Sequence, residues 1–232
     1  MNKLGIFVEG HTEVVFVEKL VEEIAGKNNV LIEQRKIRGG SNTRRTFAHV
    51  QAARVDTGQA YYVLIVDCGG DALVKTRVLE EHENFTRQGY SKIIGIRDIR
   101  PDFARADLPR LERELPRYIR TSLIPVEFIL AVMEVEAWFL AEATHYAKID
   151  PGITVAAIRS TLRFDPEVDD MEQRNFPATD LNDCYAIGGK HYWKGAAGVT
   201  INAIDFEQVY FHLVEKFAYV KRLVSSIEAF LI

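Results

Sequence analysis

The sequence holds few of the residue types that build cross-linked, secreted or membrane-spanning proteins. Only two cysteines occur among 232 residues, and Cys68 and Cys184 lie too far apart in sequence to form a metal-ligand motif. Such scarcity argues against a disulfide framework and is typical of a reducing compartment. No apolar run approaches the ~20 residues that span a bilayer, and the early apolar run is too short for a secretory signal. We therefore expect a cytoplasmic protein with no membrane partner.

The chain also lacks an excess of positive charge. Its 29 Lys and Arg residues face 33 Asp and Glu residues, which gives a net charge of −4. Any contact with nucleic acid must therefore come from a local basic patch. The phosphate-binding motif G-x-x-x-x-G-K-[ST] is missing as well, so ATP hydrolysis would require a separate chain. With 47% hydrophobic residues, the composition is that of a globular protein with a substantial core.

The first half of the chain alternates apolar runs with amphipathic segments. Strands are predicted at residues 4–9, 30–37, 60–67 and 91–98, and helices at about 12–26, 43–55 and 72–88. A polar glycine loop, residues 38–45, is predicted after the second strand. Nearly continuous apolar strands separated by helices indicate an α/β fold, with a mostly parallel sheet covered on both faces.

The second half is less regular and mainly helical in pattern. Residues 101–123 have helical spacing interrupted by two prolines, and a strand at 125–135 leads into another helix. Loops and short helices are predicted for 149–204, followed by closing helices at about 205–215 and 216–230. Residues 1–100 are therefore expected to form the sheet domain. Residues 101–232 are expected to pack on it, as an added lobe or as part of one continuous domain.

Acidic residues stand where three predicted strands end. Glu9, Asp67 and Asp98 each follow or close an apolar run. Ligands of parallel sheets bind outside the carboxyl ends of the strands, so these carboxylates are predicted to share one edge. An ordinary strand-to-helix turn needs a glycine and a cap but no carboxylate, which makes Glu9 the strongest candidate and Asp67 the next. Carboxylate oxygens are the ligands that Mg²⁺ prefers.

Two motifs resemble the Toprim domain of topoisomerases, bacterial primases and overcoming-lysogenization-defect nucleases. They are VEGHTE (8–13) and LIVDCGGD (64–71), and this resemblance covers about residues 1–100. The later segment MEVEAWFLAE (133–142) is similar to a segment of a bacterial Toprim-like family of unassigned function. The resemblance implies a Rossmann-like sheet, bound Mg²⁺ or Mn²⁺, and phosphodiester chemistry.

In Toprim domains a glutamate follows the first strand and a D-x-D pair follows the third. Glu9 and the first aspartate, Asp67, match these positions, so the resemblance assigns them metal binding and catalysis. The second aspartate is missing, because the chain reads Asp67-Cys68-Gly69. Asp71 and Glu136 are the candidates to complete the metal site.

Basic residues lie close to this predicted edge. No acidic residue occurs between positions 34 and 55, and cations beside a metal site suit a phosphate backbone, although a solvated surface is the ordinary explanation. The candidate phosphate contacts are Arg35, Lys36, Arg38, Arg44, Arg45 and Lys190. Lys190 belongs to GGKHYWKG (188–195), which either offers Tyr192 or Trp193 for base stacking or forms a turn anchored by buried aromatics.

The acidic edge and the Toprim resemblance together favour a Mg²⁺-dependent nuclease acting on DNA or RNA. The resemblance also suggests a role in bacterial phage defence, with a partner ATPase on a separate chain. One alternative is a degenerate Toprim module that binds nucleic acid or a partner protein without cleavage. Another is an enzyme that acts on the phosphates of a small nucleotide. The sequence leaves open the number of metals and whether the protein is a homodimer.

Overall fold

The computed structural model describes residues 1–40, 43–52 and 58–232, without the side chains of residues 40, 43–45 and 71. Within this part of the chain, six strands form one sheet in the order β3-β2-β4-β1-β5-β6. The strands are β1 (Asn2–Val8), β2 (Val30–Gly40), β3 (Thr43–Gln51), β4 (Tyr61–Asp67), β5 (Lys92–Asp98) and β6 (Val126–Ala131). Every neighbouring pair is parallel except β2 with β3. The predicted α/β class with a mostly parallel sheet is confirmed.

Helices flank the sheet and make up most of the chain after β6. They are α1 (His11–Ala25), α2 (Val74–Arg87), α3 (Leu108–Glu114), α4 (Glu136–Ala141), α5 (His145–Ile149), α6 (Val155–Leu162), α7 (Pro177–Ile187), α8 (Ala197–Ala203), α9 (Phe206–Gln208), α10 (Val214–Lys216) and α11 (Ala218–Phe230). A π-helical turn, Val209–Leu213, joins α9 to α10. The predicted helical carboxyl-terminal part is confirmed. No described helix has the length and apolar character required to cross a bilayer.

The central strands are buried because their sequences are almost continuously apolar. The last five residues of β1 and β4 and the last six of β5 are buried. Strands covered on both faces favour such unbroken runs over an alternation of polar and apolar residues. Helix α2 packs against β1 and β5, while α1 packs against β2, β4 and α11. The apolar runs all end at one edge of the sheet, where carboxylates begin.

The carboxyl-terminal part packs on α1 through aromatic side chains. The Phe16 ring lies 5.8 Å from that of Trp138 and 5.4 Å from that of Phe139, both on α4, and 5.5 Å from that of Phe206 on α9. Offset and tilted ring pairs at these separations stabilise beyond the area they bury. Residues on either side of position 100 therefore share one core, which holds α4 and its neighbours over the end of β1.

The helix predicted at residues 43–55 is wrong. Residues 43–51 form β3, which pairs antiparallel with β2, while residues 53–57 lie outside the described part. Thr43, Thr46, Phe47 and Val50 are β-branched or aromatic, and these types favour strands. The glycine-rich segment expected to be a loop therefore lies largely within a hairpin at the edge of the sheet.

Two other predicted elements are shorter than expected. The strand predicted at 125–135 ends at Ala131, and the backbone then turns at Met133, which has a positive φ of 67°. Of the helical pattern at 101–123, only Leu108–Glu114 is α-helical, with a proline in its first turn. Proline at that position loses no helical hydrogen bond, whereas Pro116 follows the helix and cannot continue it.

The close approach of α2 to β1 gives a test of the packing. A Cβ added at Gly5 would come 2.5 Å from Cε1 of Phe85, whose ring also packs against Phe7 and Tyr90. Because that ring has neighbours on other sides, we expect Gly5→Ala to lower the free energy of unfolding by about 1–3 kcal/mol in urea titrations. Gly198→Ala is the control, since nothing lies within 4 Å of its Cβ position in α8. Equal effects of the two substitutions would contradict this packing.

Candidate acidic site at the carboxyl ends of the strands

The parallel sheet brings the predicted acidic residues to one edge. Val8 pairs with Asp67 in the register of β1 and β4, so Glu9 follows directly beside the end of β4. Asp98 is the last residue of β5, on the other side of β1. Their exposed fractions are 4% for Glu9, 6% for Asp67 and 3% for Asp98. All three line one cleft of about 350 Å³.

Four glycines line this cleft. Gly69 and Gly70, which follow β4, have positive φ angles of 79° and 156°, conformations that side chains disfavour. The Gly70 N–H donates to the Glu9 carbonyl at 3.0 Å and so joins the ends of β4 and β1. Gly10 and Gly195 line the same cleft. A ligand can therefore approach the backbone closely at several points.

Glu9 is tied to the neighbouring strand β5. Its Oε1 accepts a hydrogen bond from the backbone N–H of Asp98 at 3.1 Å and lies 3.9 Å from Nε of Arg97. Arg97 in turn donates to the Asp102 carboxylate at 2.7 Å. These contacts hold the Glu9 carboxylate at the mouth of the sheet, although most of it is buried.

Asp67 is paired with a lysine from β2. Lys36 Nζ lies 2.6 Å from Asp67 Oδ2, and the N–H of Gly69 donates to Oδ1 at 2.8 Å. The pairing follows from the sheet, because Lys36 and Asp67 are register partners in β2 and β4. Lys36, a predicted phosphate contact, also lines the cleft.

Lys194 reaches into the acidic edge from the segment that precedes α8. Its Nζ lies 3.5 Å from Asp98 Oδ2, 3.4 Å from Glu134 Oε1 and 3.4 Å from Glu136 Oε2. Thr12 donates to the Lys194 carbonyl at 3.2 Å, which fixes the backbone of this segment to α1. Sequence reasoning missed Lys194 as a site residue, because its partners lie some sixty to a hundred positions away and nothing local marks the contact.

Glu136 lies behind Lys194 and does not line the cleft. Its side chain is 0% exposed, and its Oε1 accepts a hydrogen bond from the Tyr192 hydroxyl at 2.6 Å. Its Oε2 has no hydrogen-bond partner among the described residues and lies 3.4 Å from the Lys194 ammonium. Burial raises the pKa of the Glu136 carboxyl despite that ammonium. The structure thus brings Glu136 close to the predicted edge, but with a lysine between it and the cleft.

Glu13 is a second cleft residue that sequence reasoning missed. It stands in the first turn of α1, where an acidic residue is ordinarily explained by the helix dipole. Its Oε2 accepts the Gly10 N–H at 3.0 Å, and burial raises its pKa to about 7, with repulsion from Glu136 as the next cause. No helical spacing links it to Glu9, because Glu9 precedes α1 and Gly10 between them is extended.

The cluster around Lys194 contains more carboxyl groups than ammonium groups. Burial raises the pKa of Asp98 well above its usual range, and Glu13, Glu136 and Glu134 raise it further, while Lys194 opposes them. Burial works against the Lys194 cation, yet the surrounding carboxyls outweigh it and raise the Lys194 pKa. One ammonium cannot neutralise four carboxyls. The cluster therefore keeps its lysine charged and favours protonation of one or more acids.

The donor atoms fit a hard divalent cation held by few protein ligands. Glu9 and Asp67 present oxygens to the cleft, and Mg²⁺ commonly takes one or two carboxylates while keeping waters and phosphate oxygens. Among the described residues, no group of three His, Cys, Asp or Glu side chains has a metal-binding arrangement. Asp71 begins a 3₁₀ turn after Gly70, and its side chain lies outside the described part. Glu136 contacts Lys194 and does not line the cleft.

Of the remaining basic candidates, those with described side chains do not line the acidic cleft. Arg35 points away from Lys36, its sequence neighbour on β2, and donates to Glu33 at 2.6 Å. Arg38 is exposed near the end of β2. Arg44 and Arg45 belong to β3, and their side chains lie outside the described residues. Lys190 lies in a different cleft, 3.8 Å from the Asp150 carboxylate.

The raised pKa of Glu13 predicts a pH-dependent stability. A carboxyl whose folded pKa exceeds its unfolded value stabilises the fold below the unfolded pKa, and this is lost as pH rises through the folded pKa. For Glu13 the window runs from 4.5 to about 7. Relative to wild type, Glu13→Gln should therefore gain unfolding free energy as the pH rises from 4.5 to about 7 in urea titrations.

Glu23→Gln provides the control for this comparison. Glu23 is exposed on the same helix, so its replacement should leave the pH profile of stability unchanged. If Glu13→Gln follows the wild-type pH profile as closely as the control does, then Glu13 does not retain its proton in the folded protein.

Neither protein-family models nor curated proteins nor solved structures give a match to this chain. Its function must therefore be argued from the chemistry of the acidic cleft and its surroundings.

Proposed function

We propose that the protein is a metal-dependent phosphodiester hydrolase of the Toprim type that acts on nucleic acid with Mg²⁺ or Mn²⁺. One observation carries the proposal: Glu9 and Asp67, buried at adjacent strand ends, line the same cleft as the cations of Lys36 and Lys194. Paired carboxylates supply ligands for a hard cation, and the lysines supply contacts for phosphate oxygens. Few other ligands would use both sets of groups at once.

Glu9 and Asp67 would hold the metal. When bound, it would polarise the phosphate and favour formation of hydroxide near neutral pH. The hydrogen bonds from the backbone N–H groups of Asp98 and Gly69 would hold the two carboxylates in place. Each carboxylate oxygen has a second lone pair, so these bonds leave acceptor capacity for a cation.

Lys36, Glu13 and the glycine turn would act on the substrate. Lys36 would bind a non-bridging phosphate oxygen next to Asp67, and Gly69 and Gly70 would let the phosphodiester approach the backbone. Glu13 lines the cleft with a pKa of about 7, which suits proton transfer near neutral pH. It would accept the proton of the attacking water or return one to the leaving oxygen.

A second candidate function is nucleic-acid binding without cleavage. Lys36 and Lys194 favour this function, because their ammonium groups already pair with Asp67 and Asp98 without a metal ion. It is also favoured by Gly69, which stands where the Toprim pattern has its second aspartate. Such a cleft would bind phosphate through Lys36 and Lys194 with no metal. A role in phage defence, a partner ATPase, a cytoplasmic location and a homodimer rest on the resemblance and the composition alone.

Metal binding and cleavage test the two candidates together. We expect wild-type protein to bind Mn²⁺ and Mg²⁺ in calorimetry and to cleave labelled DNA or RNA only with metal present. Glu9→Gln and Asp67→Asn should each weaken metal binding at least ~10-fold, since even residues that only support ligands have effects of that size. Glu23→Gln should match wild type.

The outcomes separate the candidates. Nucleic-acid binding that survives EDTA, with neither metal uptake nor cleavage, supports the binding module. Cleavage that persists in EDTA, or that Glu9→Gln and Asp67→Asn leave unchanged, contradicts the proposed use of the acidic cleft.

A further inference from the structure

A second and larger cleft adjoins the acidic one. Its volume is about 570 Å³, and the two clefts share a wall formed by residues 193–196. Lys194 and Gly195 line the acidic cleft, while Trp193 and Ala196 line the larger cleft. The linings of the two clefts therefore meet along the chain at this segment.

Trp193 is exposed at this shared wall in a fixed position. Its side chain is 65% exposed, and its ring lies against the backbone of Gly195 so closely that a Cβ there would come 1.8 Å from Cζ3. The flanking residues are anchored, because Tyr192 donates its hydroxyl proton to Glu136 and its N–H to Asn182. On the other side, Lys194 accepts from Thr12. The indole is thus presented to solvent on a rigid segment.

The neighbouring aromatic residue has a different role. Tyr192 is only 7% exposed, and its hydroxyl is used by Glu136. Of the two residues that the sequence offered for base stacking, only Trp193 has an accessible ring face. Trp138, the other tryptophan of the chain, is buried in the core at 1% exposure.

The larger cleft carries positive charge around this indole. Lys148, Lys190 and His191 line it and are exposed. Asp150 lies 3.8 Å from Lys190, a weak ion pair in an exposed setting. An accessible aromatic face with lysines at its border is the arrangement by which proteins bind single-stranded nucleic acid, because every base can stack and every phosphate is anionic.

We propose that the larger cleft binds single-stranded nucleic acid, with one base stacked on Trp193 and phosphates on Lys148 and Lys190. The strand would continue past Gly195 and place its next phosphates at the acidic cleft. A duplex fits less well, since its base faces are already covered by neighbouring base pairs. The proposal rests on the proposed function for the fate of the strand in the acidic cleft, but not for binding itself.

The chemistry of the cleft favours nucleic acid over an apolar protein segment. Val199 is 67% exposed and lines the cleft beside Trp193, so an apolar contact is present. However, Lys148 and Lys190 border the cleft, and segment 193–196 contributes residues both to it and to the acidic cleft. An apolar protein partner would offer Lys148 and Lys190 no anionic groups, whereas the phosphates of a nucleic acid would contact both.

Tryptophan fluorescence tests the proposal directly. The full chain is titrated at low salt in EDTA with single-stranded DNA and RNA of about ten nucleotides, a length within the usual site size. We expect quenching of the exposed tryptophan and protection of it from acrylamide, because Trp138 is already buried. Trp193→Ala should weaken binding about tenfold, and Trp193→Phe should retain most of the affinity, since stacking needs only an aromatic face.

Matched variants separate stacking from charge and from general surface effects. Lys148→Ala and Lys190→Ala should each make the salt dependence of log K less steep by about 0.7. Phe211→Ala removes another exposed aromatic side chain, outside the cleft, and should bind like wild type. Thermal unfolding of each variant verifies that the fold is retained.

Three results would overturn the proposal: no binding of either single strand, equal affinity for single strand and duplex, or unchanged affinity in Trp193→Ala. The use of EDTA keeps the proposed hydrolase separate. Binding through Trp193 without any later cleavage contradicts only the hydrolase. Metal uptake at Glu9 and Asp67 with no strand binding contradicts only the second cleft.

Discussion

The acidic edge depends on the ion pairs that the Lys194 ammonium forms with the carboxylates of Asp98 and Glu136. This ammonium lies within 3.5 Å of carboxylates from the end of β5 and from the turn that begins α4. Asp98 and Glu136 are almost completely buried and would repel each other without it. Removing one partner from a fully buried ion pair costs about 3–5 kcal/mol. The Lys194 side chain is 46% exposed, so water compensates part of this cost. Lys194 thus ties the segment before α8 to the end of β5 beside the cleft.

The same contacts give the cleft its mixed character. Lys194 and Lys36 face buried carboxylates from either side of β1, so anionic and cationic groups line one small space. Phosphate with a divalent cation would satisfy both sets of charges, and phosphate alone would satisfy the lysines. Segment 193–196 also separates the acidic cleft from the larger one, so Lys194 and Trp193 link a chemical site to a binding surface.

The sequence predicted the parts of the fold that depend on local pattern. β1, β4 and β5 contain nearly continuous apolar runs, the pattern that burial on both faces favours, so their carboxyl ends with Glu9, Asp67 and Asp98 could be located in advance. The hairpin of β2 and β3 could not be predicted as readily. Its second strand carries polar and basic residues, and its pairing with β2 is a tertiary choice.

The site was likewise predicted only in part. Its residues at strand ends were found from the sequence, and its residues from remote segments were not. Glu13 resembles an ordinary first-turn acid, and Lys194 lies 96 positions from Asp98. Glu136 was expected among metal ligands, but its contact with Lys194 comes from the packing of α4 against the segment before α8. Such contacts depend on how the helices pack against the sheet and against one another.

A double-mutant cycle between Lys194 and Glu136 measures whether the lysine ammonium stabilises the buried carboxylate. The measured quantity is the free energy of unfolding at neutral pH for wild type, Lys194→Met, Glu136→Gln and the double variant. We expect Lys194→Met to lose about 1–3 kcal/mol, less than in a fully buried pair because the lysine is 46% exposed. Glu136→Gln should restore much of this loss, since it removes an uncompensated buried charge. Additive effects of the two substitutions would contradict this expectation, because they would mean that the ammonium does not stabilise the buried carboxylates.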